Sequence, residues 1–243
     1  MEKKQVKLKK PIYKRWWFII IVVFVIIGVI GSLNGNDETQ NSASNNTNET
    51  NVSDKPKNED SKPTEDKKEA YVNTAEAAEL FTGEFIVGTD VKAGRYDITC
   101  TSGSGNFFVY DGGMPIVNEI LASSSDEAMG LGVTKIQYDL EDGQKIVISG
   151  INNVVFTPST ISLNTKLSTG MHKVGRDVPE GSYVATAPEG SGNFFVYSKS
   201  GMPKVNEILG KDDFGLAVEK VKFTVKEGEI IVISGIELVE LGN

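Results

Sequence analysis

The chain has 243 residues, a net charge of −8, one histidine and one cysteine. A single cysteine excludes any disulfide within the chain. A single histidine leaves a Cys/His or Ser/His/Asp nucleophile almost nothing to be built from, so no enzyme and no cofactor are expected. Charge divides sharply: the first 15 residues hold seven bases against Glu2, a net of +6, which leaves −14 for the rest. An acidic body of that kind argues against nucleic acid as a partner, since phosphate binding needs clustered Lys and Arg.

In chain order, residues 1–15 form a basic tail and residues 16–33 an uncharged apolar run opening on Trp16-Trp17-Phe18. Eighteen helical residues span about 27 Å, close to the roughly 30 Å hydrocarbon core of a bilayer. The spacing predicts a single transmembrane helix that stays in place as a signal-anchor. The lysines hold the N-terminus in the cytoplasm, the tryptophans suit the headgroup interface, and the later residues lie outside the cell. A cleavable signal would have a shorter core and a clear small-x-small site, which Gly31-Ser32 match poorly. Residues 34–70 are Asn, Thr, Ser, Asp, Glu, Lys and Pro with little to bury, the composition of a disordered stalk. A short helix is expected over Thr74–Phe81.

From there the chain repeats itself. Gly103-Ser104-Gly105-Asn106-Phe107-Phe108-Val109-Tyr110 recurs unchanged at 190–197, and both copies run on into Gly-Met-Pro-x-Val-Asn-Glu-Ile-Leu. Two units follow, residues 71–157 and 166–243, and a duplicated unit means one fold built twice. The differences between copies obey strand physics. Ile136, Tyr138 and Leu140 become Val221, Phe223 and Val225, while Gln137 and Asp139 between them become Lys222 and Thr224. That period of two marks a half-buried strand. Gly143 and Gly228 then close tight turns, and the strands at 144–151 and 229–236 are apolar enough to be covered on both faces. Short strands with turns every 8–12 residues predict an all-β fold, two tandem homologous β-sandwich or barrel-like domains in fixed contact. Cys100 stands where the second copy has Ala187, the place of a small core side chain.

Candidate ligand-binding residues are few. Asn118-Glu119 and Asn206-Glu207 recur inside apolar segments where a buried carboxylate is unexpected. They suggest either a shared ligand contact or an edge that places Glu in water. Tyr110 and Tyr197 could offer stacking surfaces, although consecutive Phe residues in both copies mean that most of these aromatics serve the core. Asp90 and Asp177 are read as side chains closing turns with backbone N–H groups, and Gly94 and Gly181 as turn glycines. His172 aligns with Phe85, so it belongs to one copy only. No residue set points to a metal.

Gly88-x-Asp90-Val91-x-x-Gly94-x-Tyr96 and Gly175-x-Asp177-Val178-x-x-Gly181-x-Tyr183, each followed by Ser-Gly-Asn-Phe, resemble repeats in uncharacterised Gram-positive proteins that are exported or membrane-tethered. The resemblance covers residues 83–156 and 170–241 and implies a location at the cell envelope without an activity. The expected function is binding of a cell-wall component or an envelope protein by two tethered β units. The alternative is a structural or sensory accessory subunit of a membrane complex.

Overall fold

Alternation decides the strands. In the second copy Val221, Phe223 and Val225 are buried while Lys222 and Thr224 are exposed, the period of two seen in the sequence. The computed structural model describes residues 71–211 and 215–242; the expected tail, transmembrane helix and stalk lie outside the described residues. The first repeat contributes β1 (Ala78–Leu80), β2 (Gly83–Ile86), β3 (Gly94–Cys100), β4 (Ser104–Asp111), β5 (Met114–Ala122), α1 (Ser125–Ala128), β6 (Ile136–Leu140), β7 (Lys145–Ser149) and β8 (Val154–Pro158). The second contributes β9 (Lys166–Leu167), β10 (Thr169–Lys173), β11 (Gly181–Thr186), β12 (Ser191–Tyr197), β13 (Pro203–Gly210), β14 (Val221–Val225), β15 (Ile230–Ser234) and β16 (Val239–Gly242). The fold is all-β. Thr74–Phe81 is not helical: Ala78–Leu80 instead pairs antiparallel with Val154–Phe156, because β8 offers an open edge to it.

Each repeat encloses its own core between two sheets, the first around Tyr96, Phe107 and Phe156, the second around Tyr183, Phe194 and Phe223. Both fall within one compact unit. In the first repeat a sheet ordered β2-β7-β4-β5 faces strands β1-β8-β3-β6; in the second, β10-β15-β12-β13 faces β14-β11-β16-β9. The strand at 145–149 is not covered on both faces: Ile146 and Ile148 are core, while Lys145 and Val147 are only half-buried. Cys100 is buried and free, and Ala187 is buried in its place.

The two repeats join edge to edge. β6 and β10 pair in parallel, Thr169 opposite Ile136 and Gly170 opposite Gln137, which fuses one sheet from each repeat into an eight-stranded sheet, β1-β8-β3-β6-β10-β15-β12-β13. Only glycine fits at 170, since a Cβ there would lie 1.9 Å from the Gln137 carbonyl oxygen. Residues directly opposite one another project to the same side of a sheet. Gln137, on the outer side of the first repeat, therefore shares a side with Gly170 and its neighbour Ile233, which faces the second core. The two cores lie on opposite sides of the shared sheet. Met171 shows the converse: it projects from the outer side of the second repeat and packs against the first core.

Candidate functional site

The repeated Gly-x-Asp-Val-x-x-Gly-x-Tyr motif is a turn held by its own side chains. Asp90 accepts from the Ile86 N–H at 2.7 Å and Asp177 from the Lys173 N–H at 2.8 Å. The hydroxyls of Tyr96 and Tyr183 lie 2.9 and 3.0 Å from the carbonyl oxygens of Lys92 and Pro179. The left-handed glycines are Gly88 and Gly175, with φ of 91° and 89°. Gly94 also has a positive φ, and a Cβ on it would meet the Ala75 nitrogen at 2.5 Å. Gly181 does not share the positive φ, and the nearest atoms to an added Cβ belong to the Tyr183 side chain rather than to backbone, so the two turn glycines are not equivalent. The motif thus positions strands.

Ahead of the second turn lies β10, which builds the seam with β6, whereas β2 ahead of the first turn pairs only with β7 among the described strands, and here the copies diverge. Arg95, 1% exposed, reaches Asp139 at 3.2 Å, Gln137 at 3.0 Å, and across to the Met171 carbonyl at 3.0 Å and Asp177 at 3.2 Å. Arg176 clasps Asp177 with two nitrogens at 2.6 and 2.9 Å, meets Asp139 at 3.0 Å, and lies over the Tyr71 ring at 4.7 Å. Lys173 joins Asp139 at the rim. Burial pushes the Asp139 carboxyl up, but Arg95 and Arg176 outweigh it and hold it below the ordinary carboxylate range. Besides its turn, Asp177 therefore anchors this network. His172 lies beside it; burial drives its imidazole down to about 4, so it is neutral, and Nε2 donates to the Ser168 carbonyl.

The paired Asn-Glu candidates do not share one environment. Phe107 stands opposite Glu119 and Phe108 opposite Asn118, so the Glu faces inward and the Asn outward. Glu119 is buried at the seam, where it accepts from the Gly235 N–H at 3.0 Å and bonds Ser234; burial still pushes its carboxyl up to about 7. Glu237 follows in the same loop and takes up the Thr134 N–H. Glu207, the counterpart of Glu119, is exposed.

The structure does bring together an outward face in each copy. Phe108 and Tyr110 lie with ring centroids 5.9 Å apart and Asn118 across from Phe108. Phe195 and Tyr197 repeat the same 5.9 Å with Asn206 across from Phe195. Phe107 and Phe194 fill the cores, so these four rings are surplus to core packing and stay half-exposed. Lys145 caps Tyr110 at 5.4 Å, where the second copy has Ile230 beside Tyr197. Met114 and Met202 lie exposed at the ends of the two hairpins. A flat ring beside an amide with both donors and an acceptor can stack on an apolar ligand face and bond the ligand's polar rim. No protein-family model, curated protein or solved structure matches the chain.

Proposed function

We propose that the protein is a single-pass, envelope-anchored binding protein that displays two homologous β domains outside the membrane. Each would engage its target through the outward aromatic-amide face, Phe108, Tyr110 and Asn118 in the first and Phe195, Tyr197 and Asn206 in the second. The observation that carries this reading is the repetition of one surface arrangement, ring spacing included, at positions the cores do not need. The fitting ligand class is a cell-wall glycan, whose sugar rings offer C–H faces for stacking and hydroxyls for the amides. Anchor and tether rest on the sequence: seven bases before an uncharged 18-residue run, then a polar stalk. Two linked sites raise affinity through effective concentration when one target reaches both. The test is retention of residues 71–243 on purified cell wall and on envelope proteins, with and without Tyr110→Ala and Tyr197→Ala together. Retention unchanged by the double variant would sink the proposal.

A further inference from the structure

The seam between the repeats is a head-to-tail joint: the β6 edge of one repeat takes the β10 edge of the next. Its two halves recur, without a pairing strand among the described residues, at the outer edges of the two repeats. β14 is the counterpart of β6 and β2 the counterpart of β10, and among the described residues neither has a strand on its outer side. We propose that these two edges pair between molecules, so that the second repeat of one chain docks onto the first repeat of another copy, Thr82 opposite Val221 and Gly83 opposite Lys222.

The side chains at the two free edges change in concert. At the seam the charges are Arg95 and Arg176 against Asp139 and Asp177, with Lys173 at the rim. The pair Arg176–Asp139 is replaced at the outer edges by Thr89 and Thr224, both members together. Arg95 is replaced by Ser182, yet the cation is kept, because Gln137 becomes Lys222. Gln137 Oε1 and Asp177 Oδ2 lie within 3.0 and 3.2 Å of one nitrogen of Arg95, so a lysine at the Gln137 position stands next to the aspartate. In a docked pair, Lys222 of one molecule meets the exposed Asp90 of the next, again one cation to one anion.

Three further features fit. Glycine is kept at 83 as at 170, leaving room for an approaching carbonyl. Glu207 is exposed where Glu119 holds Ser234 and Gly235, and Ser149-Gly150, the counterpart of that dipeptide, sits at the far end. Lys204 covers the Thr224 carbonyl at 2.9 Å, but the seam's pairing stops at Gln137, so the matching pair Val221 and Lys222 lies clear of it. Such a contact joins unlike surfaces and does not close on itself, so its product is an open row of molecules.

The test uses the full chain in detergent micelles with Cys100→Ala to remove the native thiol. Glu207→Cys on one sample and Ser149→Cys on another should, when mixed and oxidised, give a disulfide-linked heterodimer well above the like-with-like products. Lys222→Glu in the Glu207→Cys sample should cut its yield about tenfold, the scale of one exposed charge pair turned to repulsion. Thr89→Arg in one sample and Thr224→Asp in the other, restoring the seam's ion pair, should raise it. No heterodimer excess, or an excess indifferent to Lys222→Glu, would overturn the proposal.

Discussion

Replacing Glu119 by glutamine should make the protein more stable at neutral pH, although it removes a charge that accepts a hydrogen bond. Burial raises this carboxyl from 4.5 to about 7 even with Gly235 and Ser234 bonded to it. The difference, 7 − 4.5, is about 2.5, which at 1.36 kcal/mol for each tenfold amounts to about 3 kcal/mol. The sign follows from the raised value. The folded state prefers the protonated acid, so the contribution is fully present below pH 4.5 and lost as pH rises through about 7. Glutamine keeps an acceptor for the Gly235 N–H and does not ionise. Urea unfolding of residues 71–243, followed by circular dichroism from pH 4.5 to 8, should show the two proteins alike at the acid end and the variant ahead by about 2–3 kcal/mol at pH 8. Glu207→Gln, exposed, should shift stability by less than about 0.5 kcal/mol at any pH. Parallel stability curves for wild type and Glu119→Gln would refute the burial argument.

At the seam, Arg95→Met leaves the buried Asp139 and Asp177 to share Arg176, with Lys173 only at the rim, and should cost about 3 kcal/mol, whereas Ser182→Ala at the matching position should stay within about 0.5 kcal/mol in the same melts. Gly170→Ala must push the Gln137 carbonyl away and should cost at least about 2 kcal/mol, with rapid amide exchange at the β6–β10 junction as its signature. Gly94→Val should destabilise by about 2–4 kcal/mol and Gly181→Val by clearly less, because only the first meets backbone in a left-handed conformation; equal losses would remove that distinction. For wall binding, Tyr110→Ala or Tyr197→Ala alone should weaken retention several-fold and both together on the order of a hundredfold, with melting nearly unchanged.

The strands were the legible part of the sequence. Ile136-x-Tyr138-x-Leu140 and its second-copy equivalent announce the alternation, clean in the second copy and overridden in the first at Asp139, which the seam buries, and the glycines after them fix the turns at φ of 87° and 81°. The segment at 74–81 misled because Ala and Glu favour a helix in isolation, whereas the free edge of β8 recruits Ala78–Leu80 as a strand. Glu119 could not be separated from Glu207 by sequence, since what buries it is a loop more than a hundred residues away. The seam was hidden for a related reason. Reading duplicated copies for likeness passes over Arg95 against Ser182, Asp139 against Thr224 and Arg176 against Thr89, the substitutions that build the joint.

A sheet whose two halves carry their cores on opposite sides also decides where the aromatic faces look. In the second repeat the ring-bearing strand β12 belongs to the shared sheet itself, and its outer face lies on the side occupied by the first repeat's body. In the first repeat the rings lie on β4, in the sheet stacked above that side, and point away from it. Both faces therefore open toward one side of the molecule, one a stair above the other by about 10 Å, the usual spacing of packed sheets, and turned by the accumulated strand twist. Two sites back to back could only bridge separate targets. Two treads of one stair can be climbed by a single winding strand, so a flat ligand would meet one tread and a flexible polymer both.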